Sequence, residues 1–181
     1  MGNRRQKEEV GSVQWRLKVV EEIRLWSRKI LETPSDHYNG LPPCPFAHKA
    51  WTDQKVKISF GAKEEILAQC IEWNDNVELV IVVIEDWDWE DVEKWTEKEN
   101  DNLKNVDLAL MAFVPDSEAT DSGQPIEEME NWEPLLDEPY AMVFIQRLSL
   151  VNAASDKLER AGYYKNCTAE FLEYINDRRT R

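Results

Sequence analysis

Residues Val77 to Ile84 read Val-Glu-Leu-Val-Ile-Val-Val-Ile, and no other stretch constrains the fold as much. β-Branched side chains are stiff at χ1 and pack well on a pleated surface. An apolar run of this length, broken only by Glu78, marks a central strand covered on both faces. It is far too short to cross a bilayer.

The flanking patterns supply the rest of the sheet and its helices. Ser12 caps a helix running to about Glu32, with Trp15, Val19, Ile23, Trp26 and Ile30 on one face. Thr33-Pro34 ends it, and residues 35–43 form a loop holding His37, Tyr38 and Asn39-Gly40. Val56, Ile58 and Phe60 alternate with polar residues as a half-buried strand closed by Gly61. Residues 62–71 are helical in composition, with Ile66, Leu67 and Cys70 turned inward. Glu85 to Glu90 leads into a helix reaching about Asn102, and Val106 to Val114 is a third strand. Tyr140 to Gln146 is a fourth, and a helix over 149–161 follows, closed by Gly162 in the usual C′ position. Thr168 caps the last helix, with Phe171, Leu172 and Ile175 inward.

Two strand-helix-strand units predict a parallel portion with right-handed crossovers, and the last strand is free to pair antiparallel. The fold class is α/β (or α+β): a four-stranded mixed sheet with helices packed on it, in two or three layers. A chain of 181 residues reads as one globular domain over 13–181, with a flexible N-terminus at 1–12 and an acidic loop insertion at 115–138. Loops of that length are uncommon in compact domains. This one reads as a solvated insertion, or as a lid over the site described next.

Charge narrows the partners. From Ala62 to Glu138 there are 24 Asp and Glu against 4 Lys and no Arg, while the remainder carries 12 acidic and 18 basic residues. Direct binding to nucleic-acid phosphates is therefore not expected there, and a basic protein partner suits the segment better. Three widely spaced cysteines show neither a disulfide framework nor a Cys-x-x-Cys pair, which fits a reducing, cytoplasmic setting. The charged first ten residues do not read as a signal peptide, and Gln6 stands where a myristoylation site needs Ser or Thr.

The stretch Leu41-Pro42-Pro43-Cys44-Pro45-Phe46-Ala47-His48 carries the chemistry. Pro45 suits the first position of a helix, which places Cys44 at the N-cap beside free N–H groups that favour a thiolate. His48 lies one turn on, as base or ion-pair partner. The same Cys and His, with His37, could instead share a metal, although a closed site needs a fourth ligand. A buried, inert thiol with a solvated His48 is the plain alternative. The acidic run at 85–90 suits a helix N-terminus as well as it suits acid/base work.

Two families share these residues. Cys44-Pro45-Phe46-Ala47 resembles the active-site tetrapeptide of omega-class glutathione transferases. That likeness implies mixed-disulfide chemistry through Cys44 and a thioredoxin-like β-α-β-α-β-β-α order from Val56 to Ala161. Residues 41–51, with Pro139-Tyr140 leading through a strand to Arg147, are similar to an uncharacterised bacterial family. Its signature is Asn-Leu-Cys-Pro-Phe-Ala near the N-terminus, with a Ser-Pro-Tyr-Pro strand ending in Leu-Arg. Here Pro42-Pro43 precedes Cys44 and Ala141 replaces the second strand proline. The likeness implies that Tyr140 and Arg147 stand near Cys44, and an Arg there would lower its pKa further.

Three functions follow as expectations. The first is thiol redox or thiol-transfer chemistry at Cys44, tuned by His48, Arg147 and Tyr140, on a small-molecule thiol or a protein substrate. The second is a non-catalytic acidic protein that engages a basic partner. The third is metal binding at Cys44 and His48. The sequence leaves any cofactor unknown, and no membrane partner is expected.

Overall fold

A computed structural model describes residues 10–115 and 140–180. The central run forms β2 (Leu79–Ile84), and Val80 to Ile84 are all buried. Beside it lies β1 (Val56–Gly61), parallel, with Ile58 opposite Ile81. On its other side lies β4 (Met142–Arg147), antiparallel, with Val82 opposite Val143. β3 (Leu108–Phe113) completes the sheet in the order β1-β2-β4-β3 and pairs antiparallel with β4. Along the chain the strands and helices follow the expected β-α-β-α-β-β-α path; in space, the last strand fills the gap between the second and third.

Alternation along each strand divides the core in two. Val80, Val82, Leu110, Val143 and Ile145 face α3 (Lys63–Ile71) and α4 (Trp89–Leu103), where Ile66, Val92 and Leu103 meet them. Ile81, Val83, Met142 and Phe144 face the opposite way, onto Val19, Ile23 and Trp26 of α1 (Val13–Trp26). The mixed α/β sheet is thus covered on both faces. Each fully buried Val or Ile contributes roughly 1.5–3 kcal/mol, so this strand anchors the fold.

Ser12 caps α1 through Trp15 N, and the helix widens to a π turn at Ser27–Leu31 before ending at Glu32. α2 (Ala47–Thr52) is short. α5 (Leu148–Arg160) follows β4, and α6 (Ala169–Thr180) closes the described chain. The N-terminus of α5 is capped from outside: Asp107, at φ 55°, accepts from Ser149 N at 2.8 Å and from the Ser149 hydroxyl at 2.7 Å. At the outer edge of β3, the Asn100 amide pairs with Leu110 N (2.8 Å) and Leu110 O (3.0 Å), as a neighbouring strand would.

Two inward assignments do not hold. Leu67 and Phe171 are 37% and 41% exposed, because the apolar faces of these helices are narrower than their composition suggests. The expectations for residues 1–9 and for the acidic insertion after Pro115 lie outside the described residues.

Candidate functional site

Cys44 does not occupy a helix N-cap. Pro45 and Phe46 form a turn closed by Ala47 N donating to Cys44 O at 3.1 Å, and α2 starts at Ala47 with Phe46 as its cap residue. Pro45 therefore lies ahead of the helix, and His48 is not one helical turn from Cys44. The N–H of Cys44 donates to Leu31 O at 2.9 Å, which satisfies a carbonyl left over by the π turn. Cys44 is half-buried as a residue, and the backbone N–H groups of Phe46 and Ala47 act to lower its thiol pKa. Burial nonetheless pushes the thiol pKa up, and the Glu32 carboxylate pushes it in the same direction, so the expected depression is reversed.

Glu32 organises the surroundings. Its carboxylate, 8% exposed, accepts from Arg24, from Ser27 Oγ at 2.9 Å, and lies 2.9 Å from His48 Nδ1. Burial alone would raise its pKa, but these hydrogen bonds and the Arg24 charge outweigh burial and hold it below the usual carboxylate range. Arg24 stacks 4.9 Å from the Trp51 ring centroid. His48 is 75% exposed at its side chain. From the other side Tyr163 donates its hydroxyl to Pro43 O, and Tyr38 stacks on the Tyr163 ring at 4.6 Å. The motif is thus knitted to the end of α1 and to the turn before α6. Burial, chiefly, raises the Tyr163 pKa as well.

The other expected members are elsewhere. Tyr140 sits where β4 begins and donates to Glu22 on α1, with its ring edge-on to Trp15 at 6.1 Å. Arg147 ends the same strand and binds Asp75 Oδ1 at 2.7 Å, with Asp107 at 3.8 Å and the Trp73 ring centroid at 5.9 Å. An extended strand rises about 3.3 Å per residue, so roughly 20 Å separates the two. One strand cannot bring both to a single sulfur. His37 belongs to a turn at Asp36–Tyr38, packed edge-on against Tyr38. Among the described residues no three His, Cys, Asp or Glu side chains are grouped to hold a metal, so Cys44, His48 and His37 are not gathered as that set would require.

Residues 85–90 act in the fold. Glu85 binds Arg16 through two hydrogen bonds, at 2.9 and 3.2 Å, tying the carboxyl end of β2 to the start of α1. Asp86 follows in the left-handed region, at φ 51°. Burial raises the Cys70 thiol to about 11, with the charge of Glu99 adding to it, and Cys70 packs beneath α4.

Sequence reasoning missed Glu32 and Arg24. A signal existed: an acidic residue at the C-terminal end of a helix opposes the dipole and calls for a partner elsewhere. No family model, curated protein or solved structure matches the chain. No helix of the described residues is long and apolar enough to cross a membrane.

Proposed function

We propose that the protein is a non-catalytic interaction protein that holds a basic partner against the acidic helical layer on one face of its sheet. The sorting of charge between the two faces carries this reading. Glu64, Asp91, Glu93, Glu97 and Asp101 are exposed on α3 and α4, and Glu72, Asp86 and Asp88 flank them. Lys94 and Lys98 are the cations exposed on α4. Across the sheet, α1 and the turn after it carry Arg16, Lys18, Arg24, Arg28 and Lys29. A field of one sign on one face speeds encounter with an opposite charge and makes binding sensitive to salt.

The test is titration of a lysine-rich peptide at graded salt. Glu93→Lys, Glu97→Lys and Asp101→Lys together should weaken binding at least tenfold. The same charge change at Glu21, Glu173 and Asp177, exposed on α1 and α6, should matter far less. Equal loss from both triple variants would mean that the peptide reads net charge alone, and the reading would fail.

A second reading keeps thiol exchange at Cys44, on a small-molecule or protein disulfide. The backbone N–H groups of Phe46 and Ala47, which act to lower the thiol pKa, favour it, since they would stabilise a thiolate once formed. In that step the Cys44 thiolate attacks a disulfide sulfur and the displaced thiolate leaves. Arg147 is engaged with Asp75 and Tyr140 with Glu22. Glutathione disulfide is the probe: a mixed disulfide on Cys44 at neutral pH, slowed in His48→Gln, supports this reading, and modification at Cys167 alone discards it.

A further inference from the structure

The guanidinium of Arg178, on α6, is 7% exposed and has no carboxylate within ion-pair distance among the described residues. Its neighbour Arg179 takes Asp156 and Glu159, at 3.3 and 3.0 Å. Arg178 is left with neutral acceptors: Asn152 Oδ1 at 3.2 Å, the Ser155 hydroxyl, and Tyr174, whose ring centroid lies 6.0 Å away. A guanidinium has five N–H donors, and a buried charge without a counter-charge is costly. Burial accordingly lowers the Arg178 pKa, and the Arg179 charge lowers it further.

Beside this cation is a cavity of about 10 Å³, lined by Arg178, Tyr174, Asn100, Leu148 and the β3 residues Leu108 to Leu110. It lies at the outer edge of β3, just where the Asn100 amide takes up the backbone of Leu110. A volume of that size takes one water, or one ion little larger than water.

We propose that this cavity is a binding site for a single halide ion, chloride in practice, held by the Arg178 guanidinium. The ion supplies a counter-charge that the described residues do not, and it clamps α6 to the edge strand. The site is independent of the acidic face and of Cys44.

The experiment uses the full chain. Chlorine NMR line width in sodium chloride should show excess broadening that bromide removes and that an equal concentration of formate leaves in place. The thermal midpoint should rise saturably with chloride at fixed ionic strength. A tenfold excess over the dissociation constant shifts the folding equilibrium by a factor of about 11. Arg178→Gln should abolish both effects. Ala109→Leu, which fills the cavity and keeps the cation, should do the same and decides the matter if the first variant folds poorly. Broadening and stabilisation that persist in both variants, or displacement by formate as readily as by bromide, would overturn the site.

Discussion

Trp51 donates its indole N–H to the hydroxyl oxygen of Ser27 at 2.9 Å, and Ser27 in turn donates to Glu32 at 2.9 Å. One buried hydroxyl therefore couples the helix that follows the Cys44 turn to the carboxylate at the end of α1. Ser27→Ala strands a donor and removes one of the bonds to Glu32. Leaving such groups unsatisfied costs about 1–3 kcal/mol. Urea unfolding should show the midpoint fall, and an unchanged midpoint would mean that water replaces the hydroxyl.

The thiol of Cys44 is held protonated, by burial first and by Glu32 second. Iodoacetamide should modify it more slowly than free cysteine at neutral pH, with the rate climbing only at higher pH than for a free thiol. Glu32→Gln should move that climb to lower pH. The folded thiol holds its proton more tightly than the unfolded one, so its contribution to stability is complete below the unfolded pKa, about 8.5, and declines as pH rises through the folded value. A Cys44→Ala chain should lack that alkaline decline, and an identical decline in both chains would contradict the assignment.

Glu32 carries the opposite sign. Its folded pKa lies below its unfolded one, about 4.3, so its contribution is present above that pH and is lost as pH falls through the folded value. Glu32→Gln should be less stable at pH 7 and show a shallower acid profile. Acid unfolding curves that superimpose after correction for the midpoint would show that the carboxylate is not the titrating group.

Asp107 caps a helix from 42 residues before the Ser149 it binds, and does so from a left-handed backbone conformation. Asp107→Ala should cost about 1 kcal/mol or somewhat more, since it loses the cap and strains a positive φ. Asp107→Asn keeps an acceptor and tolerates that conformation, so thermal unfolding should rank it between wild type and alanine. An alanine variant at least as stable as the asparagine one would refute the capping role.

Asn100 closes the edge of the sheet. Asn100→Ala leaves Leu110 N and O without that partner at the strand that forms the sheet's edge among the described residues. Sedimentation should show concentration-dependent association in this variant, together with a lower melting midpoint. A variant that remains as dispersed as the parent would show that other parts of α4 screen the edge.

Elements with a strong period were legible before any coordinates. The Val19, Ile23 and Trp26 stripe, the run at 79–84 and the Gly162 stop each follow from a local rule, and tertiary packing agrees with all three. The site was harder to read because its chemistry depends on distance across the fold. Pro45 looks like a helix start in sequence, yet the turn at Phe46 postpones the helix and removes the dipole argument for Cys44. Tyr140 and Arg147 are seven residues apart on paper, and only the decision between strand and helix says whether they meet. The bond between Glu32 and His48 spans sixteen residues and two chain reversals, which no periodicity records.

The placement of β4 has a temporal consequence. Its slot lies between β2 and β3, although it is the last strand to be synthesised. Until residues 142–147 leave the ribosome, β3 lacks the strand it pairs with among the described residues, and β2 lacks its neighbour on that side. The four-stranded sheet therefore cannot close until β4 has been synthesised. A nascent chain halted at Pro115 would be the species most in need of a chaperone.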